Sequence, residues 1–501
     1  MPNSRLETLL LLAVTLVATA VAHGPGLRGA FVFDDIREIR DNDSLDILWP
    51  PWVAMLEGGS LPHRPLPYYT FALNRALHGT DVRGYHLVNL AIHVANGLLI
   101  WWLVTTALTT WCGWIDSRRA SLVGWATATL WLVHPLGTQA VTYIYQRMEL
   151  MAALAILCTL AGFIQAIRPD RSAGESAAWL TASVVACGLG MGCKETVAAA
   201  PLLVPLFDAL VVGTPPALML RRRAGYFLSL AACWGILAAV IVNQRARYPE
   251  LNTGRVLWWE YALNQPRVIL HYLRLAVWPS GLCFDYGWPV ERSPAALLPA
   301  ILAVATLLTV AVVAIRWNRP LAFLGLAFFL LLAPTSSLLP VTDLCVEHRM
   351  YLPLACLVAV AVLGLDRLLR LVGLGRVAAA GAIGLGIAAS AAASHDRTGD
   401  YGTRLGLWSA AVRAAPENPR AVAAVAEALY RAGRLEEAVA AYERSIAMEP
   451  AAAVPHTGRA ACLLRLGRHA EAAEAARTAI SLAADNPAAH SILGEALRRL
   501  Q

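Results

Sequence analysis

Apolar segments fill most of the first 393 residues, and nothing else in the chain limits its fold as strongly. About 20 apolar residues cross a bilayer. On that measure eleven segments qualify: 6–22, 86–110, 120–136, 148–167, 176–192, 196–213, 224–242, 296–315, 320–338, 350–365 and 377–393. The composition agrees, with 57% hydrophobic and only 15% charged residues in a chain of 501. That is too apolar for a soluble protein. Lipid offers the backbone no hydrogen-bond partners, so the expected fold is all-α, a polytopic membrane helix bundle. The first segment, with Arg5 ahead of it and Ala20-Val21-Ala22 at its end, also has the form of a cleaved signal peptide. An uncleaved helix is preferred, because cleavage would leave Asp34 and Asp35 on a free tail.

The basic residues test this division. Arg5, Arg118-Arg119, Arg168 with Arg171, Arg221-Arg222-Arg223, Arg316 with Arg319, and Arg367 with Arg370 and Arg376 fall on alternate loops. By the positive-inside rule these loops are cytoplasmic. The other side then receives a first outer loop at 23–85, a second large loop at 243–295, and everything after 393. Within the second loop, 266–279 is apolar but short and carries His271 and Arg274, so an interfacial helix is expected rather than a span. The cations are 40 Arg and one Lys, a bias that fits a GC-rich bacterial genome and hence a bacterial inner membrane. The net charge of +7 is spread between apolar segments rather than along one face, so no nucleic-acid partner is expected. Nine cysteines without a CxxC pair give no support for a zinc site or a disulfide framework. A bond between Cys283 and Cys345, both on outer loops, has no sequence support either.

After residue 393 the composition turns to Ala, Glu and Arg, and a period of 34 appears. Trp408, Tyr442 and Ala476 share one phase, Ala438 and Ala472 another, Gly433 and Gly467 a third, and Pro416 and Pro450 a fourth. This is tetratricopeptide spacing. The expected domains are 1–393 in the membrane, a linker at 394–402, and a repeat solenoid at 403–501. In the solenoid, 419–450 and 453–484 read as full repeats between lone helices at 403–416 and 487–501. Such arrays bind extended peptides or other proteins and say little about chemistry.

Every motif of chemical interest falls on the outer side. Asp34-Asp35 follows the first segment, where a carboxylate could accept a proton from an acceptor group; an ion pair with Arg37 or Arg40 is the plainer reading. Arg64, in His63-Arg64-Pro65-Leu66, could hold a phosphate or simply lie in a juxtamembrane loop. His86, Asn89, His93 and Asn96 occupy one helical face, which favours hydrogen bonding between helices over catalysis. His134-Pro135 ends the third segment, and Gln146-Arg147-Met148-Glu149 opens the fourth. Arg147 could bind phosphate or snorkel to the surface, and Glu149 could orient a reacting group. Lys194-Glu195 sits in a short turn, as a phosphate-binding point charge or a structural pair. Arg245, Arg247, Arg255, Arg267 and the tryptophans 258, 259 and 288 suit the headgroup level. Glu347-His348-Arg349 precedes the tenth segment as an anion clamp or a local ion pair.

The order FVFDD, RPL, YHLVNLAIHVAN, HP with QRMEL, KE, EHRMYLP and then tetratricopeptide repeats resembles the transmembrane and tetratricopeptide-repeat (TMTC-like) glycosyltransferases, relatives of the protein O-mannosyltransferases with a GT-C fold. The resemblance covers most of the chain. It implies an inverting glycosyltransferase of the EC 2.4 class. The donor would be a sugar on a polyprenyl phosphate, with mannose suggested, used on the non-cytoplasmic face. It implies Asp35 as base with Asp34 as its partner, and Glu149 beside them as a catalytic carboxylate. Arg64, Arg147, Lys194 and Arg349 would bind the donor phosphate, and His93, His134, Glu195 and Glu347 would orient the others. No metal ligand is assigned, and the use of a divalent cation is left open. Membrane lipid, the lipid-linked sugar and an acceptor protein or peptide held by the repeats are the expected partners. Two other readings compete: a non-catalytic membrane-anchored repeat scaffold for envelope assembly, and a flippase or transporter for lipid-linked sugar.

Overall fold

The structure, a computed structural model, describes residues 2–57, 64–113, 115–247, 256–337 and 343–501. His63, Arg255 and the side chains of Arg245 and Arg247 lie outside the described residues. So do residues 338–342, which include the end of the ninth expected span. No strand occurs among the described residues. The helices are α1 Pro2–His23, α2 Pro65–His78, α3 Val82–Ala107, α4 Ser117–Leu132, α5 Thr138–Thr142, α6 Arg147–Ala166, α7 Ala173–Met191, α8 Ala200–Phe207, α9 Pro216–Arg247, α10 Trp258–Val277, α11 Pro294–Val313, α12 Arg319–Leu332, α13 Pro353–Leu371 and α14 Arg376–Gly399. Then come α15 Arg404–Ala414, α16 Pro419–Arg431, α17 Leu435–Met448, α18 Ala453–Arg465, α19 His469–Leu482 and α20 Pro487–Leu500. Turn chemistry sets many of the starts. Asp81 and Asp116 cap α3 and α4 by accepting backbone N–H groups, and Ser172 with Glu175 forms a capping box on α7.

The chain is all-α and divides into two compact units. The first is Met1–Ser280, Val290–Thr342 and Glu347–Gly399. Among the described residues seven helices are long and apolar enough to cross a membrane: Arg5–His23, Val82–Cys112, Ile144–Ala166, Glu195–Val212, Pro216–Asn243, Pro294–Arg316 and Val377–Gly402. They coincide with seven of the eleven expected spans. The other four expected spans are also helical but shorter or more polar. For example, α12 has 14 residues, and α13 carries Asp366, Arg367 and Arg370 in its second half. The expected interfacial segment is the C-terminal part of α10, whose polar stripe includes Glu260, Asn264, Gln265 and His271.

Polar contacts tie the spans together. Thr15 of α1 bonds Thr129 of α4 at 2.8 Å. From α14, Ser394 bonds the Val133 carbonyl at 2.7 Å and Thr398 the Ala22 carbonyl at 3.0 Å. These last bonds lie in the stretch expected as a linker; the chain stays helical there through Gly399. Because α3, α6 and α13 start, and α1 ends, near the same carboxylates and cations, those groups collect at one end of the bundle. The loop arginines sit at the other end, where Arg119 holds Asp366 at 2.8 Å.

The second unit comprises Gly281–Pro289, Asp343–Val346 and Asp400–Gln501. Its six helices α15 to α20 form antiparallel pairs over an alanine-rich core. Tight turns join the two helices of a pair where Gly433 and Gly467 adopt φ +78°, which a side chain would disfavour. Tyr442 lies so close to Gly458 that an added Cβ would meet its ring at 2.2 Å. The two loop segments belong to this unit through Asp285 and Asp343, which both accept from Arg420, and through Phe284, whose ring packs edge-on to Trp408.

Candidate functional site

The acidic pair sits on a strained turn. Phe33 has φ +48°, a left-handed conformation costly for a bulky residue, and such strain collects at functional sites. The turn is closed by Asp35. Its backbone N–H bonds the Val32 carbonyl at 2.9 Å, and its Oδ2 accepts the Val32 N–H at 3.0 Å. Its Oδ1 accepts the Tyr145 N–H at 2.7 Å, and the residue is fully buried. Burial pushes the Asp35 carboxyl well above the usual range, opposed by these backbone N–H groups and reinforced by the charge of Asp34. Asp34 is different. It is half-buried, and its Oδ2 accepts from the Tyr143 hydroxyl at 2.7 Å, which in turn accepts the Asp34 N–H at 3.1 Å. Burial, with Asp34 adding to it, raises the Tyr143 phenol far above its ordinary range, so it stays a donor.

From here a chain of polar side chains leads to the cations. The Tyr143 and Tyr145 rings lie 6.2 Å apart, and the Tyr145 and Tyr68 hydroxyls 3.5 Å apart. Tyr68 donates to the buried Glu38 at 2.5 Å. Tyr145 lies within electrostatic reach of both Asp34 and Arg64. Arg64 pairs with Glu195 at 3.4 Å, contacts the Met148 sulfur, and feels Glu149. Its Nε is buried without a partner. Lys194 is 3% exposed, 2.6 Å from Glu149 and 3.2 Å from the Gln146 side-chain oxygen. Burial holds the lysine below its ordinary range, Glu149 opposes this, and Arg64 adds to the lowering. His348 closes the set. Burial, then Lys194, Arg349 and Arg64, push its imidazole well below the usual value. Three cations therefore crowd one neutral histidine, whose Nδ1 is buried without a partner.

The remaining expected residues brace this cluster. Arg147 is fully buried, and its guanidinium is spent on neighbours: Asn89 at 2.8 Å, the Tyr85 carbonyl at 3.0 Å and the Thr70 carbonyl at 3.2 Å, with Phe71 4.5 Å below. It joins α2, α3 and α6 and faces away from the surface. His93 bonds the Tyr351 hydroxyl at 2.8 Å and the Leu132 carbonyl at 2.9 Å, steadying the turn that carries Arg349. Asn96 reaches the same hydroxyl at 3.1 Å. His134 accepts the Leu136 N–H at Nδ1 and, through Nε2, meets the Ala276 carbonyl at 3.1 Å, so it caps a turn. Glu347 is fully buried 3.9 Å from Arg397. Among the described residues no group of three or more His, Cys, Asp or Glu is placed to hold a metal ion.

Sequence reasoning passed over Glu38, Tyr68, Tyr143 and Tyr145. The alternating tyrosines just ahead of Gln146 were the available signal, since two phenols in an apolar stretch need partners when buried. In the sequence His348 stands only as part of a motif; in the fold Lys194, Arg349 and Arg64 all act on it.

A family model described as tetratricopeptide repeat matches residues 429–496. The chain is similar to Protein O-mannosyl-transferase Tmtc3 of Drosophila melanogaster, 30% identical over 200 residues, covering 36% of this chain and 21% of that one. It is similar to Protein O-mannosyl-transferase TMTC4 of Homo sapiens, 30% identical over 208 residues, 37% of this chain and 27% of that one. With Protein O-mannosyl-transferase Tmtc2 of Drosophila melanogaster it shares 29% identity over 289 residues, 52% of this chain and 29% of that one. The match thus spans less than a third of each relative's length. A crystal structure of ArnT from Cupriavidus metallidurans bound to undecaprenyl phosphate aligns with a TM-score of 0.43 at 19% identity, over 94% of this chain and 79% of that one. In sequence the chain is TMTC-like, with a tetratricopeptide-repeat array at its C-terminus.

Proposed function

We propose that this protein is an integral-membrane glycosyltransferase of the GT-C type. It moves a sugar, mannose by analogy with the names of its relatives, from a polyprenyl phosphate to a hydroxyl of a protein acceptor on the non-cytoplasmic face. The observation that supports this reading is that, at one end of the bundle, a half-buried carboxylate held by Tyr143 lies near Tyr145, which is within electrostatic reach of both Asp34 and Arg64, while Arg64, Lys194 and Arg349 all act on His348. In this reading Asp34, rather than Asp35, takes the acceptor proton. It is the member of the pair that solvent reaches, and Tyr143 aims it. Asp35 fixes the turn. As the acceptor oxygen attacks the anomeric carbon, the bond to the leaving phosphate breaks on the opposite face, which inverts the centre. Negative charge then grows on the lipid phosphate, and Arg64, Lys194 and Arg349 take it up. Glu149 and Glu195 hold Lys194 and Arg64 until the donor arrives. Arg147 braces the helices that carry them. The repeat unit holds the acceptor.

The test is transfer by the purified full chain in nanodiscs, with radiolabelled polyprenyl-phosphate sugars as donors and an envelope-protein extract as acceptor. Label in protein with wild type, and none with Asp34→Asn, is the expected result. Failure to consume any donor removes the transferase reading. Transfer that survives Asp34→Asn keeps the class but moves the base.

A further inference from the structure

The end of the bundle away from the carboxylates holds a second feature that sugar transfer does not use. The last turns of α3, the end of the helix Glu195–Val212, the start of α12 and the second half of α13 enclose a cavity of about 1040 Å³. Its interior is lined by apolar side chains such as Leu103, Leu108, Phe207, Val211, Phe323 and Leu363. Its rim carries Arg316, Arg319, Arg367 and Arg370, with Asp366 as the acid among them. Asp366 is already occupied, by Arg119 at 2.8 Å and by Arg370 at 2.9 Å. Arg316, Arg319 and Arg367 are exposed and have no hydrogen bond or ion pair among the described residues. Trp317, beside them, is 79% exposed, as interfacial tryptophans are.

We propose that this cavity binds one anionic phospholipid, its phosphate on the three arginines and an acyl chain inside. Depth supports a lipid over a soluble anion. The lining runs along α13 from Ala359 to Arg370, and along Val82–Cys112 from Leu103 to Cys112. At 1.5 Å per residue both distances are roughly 15 Å. That is about half of the ~30 Å hydrocarbon core, one leaflet deep. Charge supports an anion over a zwitterion, because the rim has three cations without partners among the described residues, and basic pockets between membrane helices take acidic headgroups. The Gly364 Cβ position has nothing within 4 Å, so the wall is open there for a chain. The site lies at the opposite helix ends from the proposed donor site and does not depend on that assignment.

The experiment is native mass spectrometry of the full chain released from mixed phosphatidylglycerol and phosphatidylcholine nanodiscs. Wild type should retain phosphatidylglycerol over phosphatidylcholine by about tenfold or more, since each surface arginine contributes roughly a fivefold preference. Arg316→Gln, Arg319→Gln and Arg367→Gln together should abolish that preference. Gly364→Leu, which keeps the rim and fills the shaft, should lose the bound lipid itself. Excess inorganic phosphate should not displace the lipid. Equal retention of both lipids by wild type overturns the proposal, as does an unchanged preference in the triple variant. Displacement by free phosphate, or wild-type binding by Gly364→Leu, overturns it too. If the triple variant does not fold, the Gly364→Leu comparison decides alone.

Discussion

Replacing each aspartate of the pair by asparagine separates the proton acceptor from the turn-former. Asp35 accepts one backbone N–H on each oxygen, from Val32 and Tyr145, inside the protein. Asparagine keeps one acceptor and turns the other into an NH₂ that faces a backbone donor. One hydrogen bond is lost and two buried donors oppose each other, at a cost of about 1–3 kcal/mol. Removing a buried charge whose carboxyl is already pushed up offsets part of this, so the melting temperature of Asp35→Asn should fall by a few degrees. Asp34 is half-buried, and an asparagine oxygen there still accepts from Tyr143, so Asp34→Asn should cost under about 1 kcal/mol. Its chemistry, however, loses the proton acceptor, worth roughly 10²- to 10⁴-fold in rate. The assay is the initial rate of label transfer from saturating lipid-linked donor, read beside thermal melting in the same nanodiscs. Asp34→Asn should be folded and nearly inactive. Asp35→Asn should be less stable, with a rate reduced only as far as the turn shifts. An Asp34→Asn protein that keeps more than about a tenth of the rate refutes the argument. So does an Asp35→Asn protein that is dead at an unchanged melting temperature.

Three further outcomes are expected. Lys194→Met leaves Glu149 buried beside no lysine and should lose about 3–5 kcal/mol of stability; adding Glu149→Leu should restore melting but not transfer, and recovery of transfer would make the pair purely structural. His348, whose folded pKa lies well below the ordinary 6.5, binds its proton only in the unfolded chain as pH falls below 6.5. Stability is therefore lost on acidification by up to about 1.4 kcal/mol per pH unit from this group, and the melting temperature of His348→Gln should fall less steeply between pH 7 and 5. Gly458→Val puts a branched side chain into the Tyr442 ring and should destabilise the repeat unit by about 1–3 kcal/mol, read by circular dichroism of the full chain.

How much of this could be read from the sequence depends on which physical rule each residue obeys. The helices were legible because apolar length and the 34-residue period are properties of the chain itself, indifferent to partners. Gly433 and Gly467 announced their turns for the same reason, since few other residues take φ +78°. The stripe His86, Asn89, His93 and Asn96 was legible as a face, and each member bonds inward from it. Which cation meets which acid was not legible. Arg147 and Lys194 look alike as lone charges at helix starts. Only packing shows that Arg147 is enclosed by Asn89, Thr70, Tyr85 and Phe71, whereas Lys194 shares its surroundings with Arg64 and His348. The order within Asp34-Asp35 was equally hidden, because a difference of one residue decides which carboxylate closes the turn. Phe33 determines that outcome: its left-handed backbone lets the Asp35 side chain reach back to Val32. Asp34 is then left against Tyr143, with solvent access. The strain at Phe33 and the exposure of Asp34 are thus one local event, and relieving it is a sharper test than any charge change. Phe33→Gly adopts the same φ without strain, which offsets the half-buried ring and the chain entropy it gives up, so stability should change by under about 1 kcal/mol while transfer stays intact. Loss of transfer in that variant would mean that the Phe33 side chain itself, 44% exposed beside the pair, touches the acceptor.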